Sequence, residues 1–167
     1  MMDRNGALVI LIGAAVGTLF LIPAHGSAQA SNSVSCVGIG FSSPLEDLTR
    51  CAEQEGHAGA QYSLGLRYNM GLNAPQDDAE AFLWYRLAAE QGHAAAQLDL
   101  GYQYAKEGML QDLVYAYLWF DLSASGGQKI AQSNKDVLEK RMTPAQIVEA
   151  QRLSREWIEV HPKEGGN

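Results

Sequence analysis

Glu53-Gln54-Glu55-Gly56-His57-Ala58-Gly59-Ala60-Gln61 stands 36 residues before Ala89-Glu90-Gln91-Gly92-His93-Ala94-Ala95-Ala96-Gln97, and the recurrence of its Gly-His and Ala-Gln pairs decides the fold. Moving outward, Leu64-Gly65 returns as Leu100-Gly101 and Tyr68 as Tyr104 at the same spacing. Gln76-Asp77 returns as Gln111-Asp112 and Leu83-Trp84 as Leu118-Trp119, now 35 residues apart. One residue is therefore lost between Gly101 and Gln111, and a turn between helices is where a repeat tolerates that loss. A third copy begins at Gly127 and keeps Ala131-Gln132. Self-similarity at such a period is the signature of stacked supersecondary units, each unable to bury its apolar face alone.

Each unit reads as two helices. Ala60, Leu64 and Tyr68 are spaced by four and form one stripe with Gly65 beside it. A glycine inside a helix costs about 1 kcal/mol against alanine, so Gly65 predicts a close helix approach. Gly71, Asn73 and Pro75 mark the turn. The second helix opens with Asp77, Asp78 and Glu80, where negative charge suits the helix dipole. Ala81, Trp84, Tyr85 and Ala88 form its buried stripe, and Gly92 closes it. In the third copy, Lys135-Asp136 stands where Leu-Gly is due, as suits a terminal unit with a polar outer face. A last helix begins at Thr143-Pro144, with Thr143 as N-cap, Pro144 in the first turn and Gln146 completing a capping box. Ile147, Ala150, Leu153 and Trp157 share one face, which should cover the end of the stack.

The start of the chain has another character. Ala7 to Ile22 is an uncharged, mostly apolar run of 16 residues, broken by Pro23 and Gly26. Ala28-Gln29-Ala30 then offers the small residues that a signal peptidase reads, so residues 1–30 read as a cleaved signal peptide, with an uncleaved anchor as the alternative. The run is shorter than the roughly 20 residues of a membrane-spanning helix. Residues 31–44, rich in Ser and Gly, read as a flexible lead, residues 45–160 as the repeat domain and residues 161–167 as a disordered tail. Only two cysteines occur, Cys36 and Cys51. In an exported chain they are expected to pair, tying the lead to the first helix. Two free thiols and a lipid-anchored Cys36 are the other possibilities.

Gly-His-Ala-x-Ala-Gln-x-x-Leu-Gly-x-x-Tyr, then Pro-Gln-Asp, then Ala-x-x-Trp-Tyr-x-x-Ala-Ala closely resembles the Sel1-like repeat, a relative of the tetratricopeptide repeat. The resemblance runs from Cys51 to about Gln132, and residues 142–157 resemble the terminal helix that often follows such repeats. The turns depart from the pattern. They lack its second glycine, Asn73 standing near that place, and the second copy has no turn proline. The fold that the resemblance implies is all-α: a right-handed solenoid of antiparallel helix pairs, with two full repeats plus N- and C-terminal capping helices. The function it implies is protein binding along the concave face lined by the first helix of each pair. Carried over by position, that face holds Tyr62, Leu66, Asn69 and Met70 from the first unit, and Leu98, Tyr102 and Lys106 from the second. Some cysteine-rich relatives are associated with β-lactam binding or hydrolysis, which makes a cell-wall-active protein the alternative.

The chemistry of an enzyme does not assemble along this chain. No Ser has a Lys three residues on, as a serine β-lactamase requires, and no cysteine pair lies within the repeats. His57 and His93 occupy equivalent positions beside a glycine, which reads as a helix-start role rather than a metal site. Trp84, Tyr85, Trp119 and Phe120 could be an aromatic cage, but their recurrence at core positions reads as packing. Nothing matches a phosphate-binding glycine loop. The net charge of −7 argues against nucleic acid or an anionic membrane as partner. The expectation is a periplasmic or secreted, monomeric binding protein, without catalytic residues, metal or cofactor, whose partner is another protein or peptide.

Overall fold

The computed structural model describes residues 35–106 and 112–162. They form seven helices and, among the described residues, no strand. In order these are α1 (Leu45–Glu53), α2 (Ala58–Met70), α3 (Asp78–Glu90), α4 (Ala94–Ala105), α5 (Leu113–Ser125), α6 (Lys129–Glu139) and α7 (Pro144–Val160). Consecutive helices pack on one another from α1 to α6, which is the all-α repeat solenoid that the recurrence requires. Residues 1–30, the stretch read as a signal, lie outside the described residues, as do residues 107–111 and 163–167.

The recurring residues have recurring jobs. His57 and His93 are N-caps, each ring Nδ1 accepting the amide of Ala60 or Ala96 at 3.3 and 3.2 Å. Asp77 and Asp112 cap α3 and α5 through their carboxylates. Gln61 and Gln97, both buried, donate to the carbonyls of Ala52 and Ala89 in the last turn of the preceding helix. The backbone N–H of Asp77 meets Tyr68 O at 3.0 Å, and that of Asp112 meets Tyr104 O at 3.0 Å. The lost residue therefore lies between Tyr104 and Asp112.

Three apolar clusters make the core. Cys36, Leu48, Cys51, Ala60 and Leu64 fill the first; Ala88, Ala96, Leu100, Trp119 and Leu122 the middle; Tyr117, Phe120, Leu138 and Ala150 the last. Helix α7 packs on α5, with Trp157 edge-on to Trp119 at 6.4 Å. Its capping box is complete, and Ala150 is fully buried while Ile147, Leu153 and Trp157 are half-buried. In the repeats themselves Tyr85 is buried and Trp84 only half-buried.

The lead is held at two points. Cys36 and Cys51 form a disulfide with their Cα atoms 5.8 Å apart. Arg67, buried in α2, reaches back to donate to the carbonyls of Phe41, at 2.7 Å, and Ser43. The stretch from Ser35 to Pro44 is thus pinned by a buried guanidinium as well as by the expected bridge.

Candidate functional site

The site is built on α2 and α4 from half-buried and exposed residues that flank the buried Leu64 and Leu100. Tyr62 lies one turn into α2. Its ring stands 4.7 Å from the imidazole of His93 and 5.9 Å from the ring of Tyr85, and its hydroxyl donates to Oδ2 of Asp99 in α4 at 3.0 Å. This bond joins the first helix of one unit to the first helix of the next. Burial raises the Asp99 carboxyl above the usual carboxylate range, partly offset by the Tyr62 hydrogen bond. Burial, then the Asp99 carboxylate, push the Tyr62 phenol upward, so it stays protonated and donating. Burial, then the His57 ring, lower the His93 imidazole, so it stays neutral and able to cap.

A second rung follows one unit on. Asn134 of α6 donates to the Tyr102 hydroxyl of α4 at 2.6 Å, and the Tyr102 ring meets Phe120 edge-on at 5.3 Å. Lys106, at the C-terminal end of α4, pairs with Asp78, at the start of α3, at 3.4 Å. Lys135 pairs with Asp121 at 2.7 Å and lies over the Tyr117 ring.

The residues expected on the binding face all lie on α2 and α4 or at their ends. Met70, Tyr102 and Lys106 are exposed, whereas Tyr62, Leu66, Asn69 and Leu98 are half-buried. Leu98 packs against the last core cluster, and Tyr62 against the middle one. Sequence reading missed Asp99, Asn134 and the Tyr85 hydroxyl. Asp99 carried a signal: it is a carboxylate where the first unit has Ser63. The partner of Asn134 carried none, because a contact between residues 32 apart leaves no local pattern.

Among the described residues, one group of three could place ligand atoms around a metal: Cys36, Cys51 and Glu55. Both sulfurs are committed to the disulfide, so this is no metal site in the oxidised chain. A cleft of about 880 Å³ opens elsewhere, between the turn before α4, the end of α5 and the C-terminal end of α7, where Trp157 stacks on His161 at 4.3 Å. No helix of the described residues is long and apolar enough to cross a membrane.

These helix pairs, with their recurring cap and buried glutamine, are Sel1 repeats. The Sel1 repeat family model matches residues 58–93 and 94–128. The chain is similar to a Sel1 repeat protein from Oxalobacter formigenes, with 32% identity and a TM-score of 0.53 over 74% of this chain and 91% of that one. It is also similar to a protective antigen of uropathogenic Escherichia coli displaying an SLR fold, with 35% identity and a TM-score of 0.63 over 69% of this chain. The chain spans 25% of that antigen's length. A search of curated proteins gave no match. The chain belongs to the Sel1 repeat family, whose members generally serve as protein–protein interaction modules.

Proposed function

We propose that this is an exported, non-enzymatic interaction module of the bacterial cell envelope, which holds a partner polypeptide along α2 and α4. The observation that carries the reading is Tyr102. Its side chain is 43% exposed, yet it is fixed by Asn134 at its hydroxyl and by Phe120 at its ring. A rigid, exposed aromatic offers contact area at little entropy cost, and such residues dominate binding energy at interfaces. Met70, 53% exposed, extends the same face in the first unit. The disulfide supports export, since such bonds persist in oxidising compartments.

Two measurements test this. N-terminal sequencing of protein recovered from the envelope should begin at Ser31; an intact Met1 on cytosolic protein removes the export claim. A pull-down from the envelope fraction should then yield a partner whose affinity falls about fivefold or more with Tyr102→Ala, at unchanged melting temperature. A folded Tyr102→Ala that binds at full strength moves the site elsewhere. Tyr62→Ala is the poorer probe, because Tyr62 also packs on the core.

A further inference from the structure

Asp99 has no counter-ion among the described residues. Its half-buried carboxylate takes a hydrogen bond from Tyr62, and no Lys, Arg or His among the described residues pairs with it. Tyr85 reaches the same place from α3. Its side chain is 2% exposed and pinned against Gly65, yet its hydroxyl has no hydrogen-bond partner among the described residues. The groups that act on that hydroxyl, beyond burial, are Asp99, Tyr62 and Asp78. Asp78 is already paired with Lys106, which leaves Asp99 as the carboxylate without a cation. Burying part of a carboxylate without a counter-charge is costly. A positive ligand group would relieve that cost, and the Tyr85 oxygen beside it is free to accept a further hydrogen bond.

We propose that Asp99, flanked by the Tyr62 and Tyr85 hydroxyls, is the seat for an arginine side chain of the partner polypeptide. This deepens the interaction reading and rests on it. A guanidinium fits the place for three reasons. Its planar fork of five N–H donors can serve a carboxylate and phenol oxygens together. It stacks on aromatic rings, and the half-buried Tyr62 supplies one. It is more weakly hydrated than an ammonium, which matters where the carboxylate is already desolvated. A divalent cation fits poorly, because one free carboxylate among neutral phenols supplies too few anionic oxygens. The net charge of −7 favours approach of a cation to this face.

The test uses the full chain, isotopically labelled, titrated by NMR with N-acetyl-arginine amide, its lysine counterpart and its uncharged citrulline counterpart. Arginine should shift the amides around Tyr62, Tyr85 and Asp99 saturably, with a dissociation constant of about a few millimolar for so small a probe. Citrulline should not, and lysine should bind several-fold more weakly. Asp99→Asn, which keeps an acceptor for the Tyr62 hydroxyl, should weaken arginine at least tenfold. Tyr85→Phe, which removes only the unmatched oxygen, should weaken it about threefold and serves if the asparagine variant folds poorly. Citrulline or lysine binding as well as arginine, or arginine indifferent to both variants, overturns the proposal. The interaction reading fails separately: arginine would still seat at Asp99 while the isolated partner ignored both Tyr102→Ala and Asp99→Asn.

Discussion

Tyr85 lies on Gly65 so closely that a Cβ there would come within 2.6 Å of its ring, and Phe120 stands in the same relation to Gly101, also at 2.6 Å. The recurring glycine is thus a docking point for the aromatic of the same unit's second helix. The third unit makes the converse case. No aromatic crosses its equivalent position, Asp136, which is exposed and bonded to Gln132, because α7 packs on α5 instead.

Gly65→Ala and Gly101→Ala should therefore destabilise the chain by about 1–3 kcal/mol through overpacking, although alanine is the better helix former. Asp136→Ala should stay within about 0.5 kcal/mol of wild type. Asn73 sits in the turn at φ +59°, a conformation that asparagine tolerates, so Asn73→Gly should also change little. Chemical denaturation of the four variants decides it; glycine variants as stable as wild type would refute the close contact.

The lead should come loose in two stages. Replacing both cysteines by serine removes a cross-link over a loop of 15 residues and should cost about 3 kcal/mol. Arg67→Met, with the disulfide intact, leaves the Phe41 and Ser43 carbonyls without their charged donor and should cost about 1.5–3 kcal/mol. Hydrogen exchange around Ile39 to Ser43 should accelerate in both. Unchanged exchange in Arg67→Met would mean that the disulfide alone fixes the lead.

Acid should weaken the second unit through its cap. His93 accepts a hydrogen bond at Nδ1, which requires the neutral ring, and its pKa is lowered below the ordinary value of about 6.5. The unfolded chain therefore takes the proton more readily. The contribution of His93 is complete above about pH 6.5 and is lost as pH falls below it toward the lowered value. Asp99 works in the opposite sense: its carboxyl is raised, so its contribution is present in acid and lost as pH rises through that value. Comparison with His93→Asn, which caps without titrating, isolates the histidine. Between pH 7.5 and 5 the wild-type melting temperature should fall more than that of the variant. Parallel curves would remove the cap from the account.

The sequence by itself determined the helix pairs, the helix-start residues and the glycine contact, and raised the pairing of Cys36 with Cys51 as an expectation. All but the last rest on residues within a turn or two of each other or on repetition, so helical geometry makes them legible. The capping box at Thr143 and Gln146 follows from spacing alone, and His57 and His93 declare a shared role by recurring. Tertiary structure alone decided what crosses between units. The Tyr62 hydroxyl finds Asp99 37 residues away, and the Arg67 guanidinium finds the Phe41 carbonyl 26 residues back. Such contacts depend on how far each unit is rotated against the last, a packing angle that no local periodicity encodes. For that reason a lone carboxylate in α4, a minor departure within the repeat pattern, emerges as the uncompensated charge of the site only once α2 and α3 are packed around it.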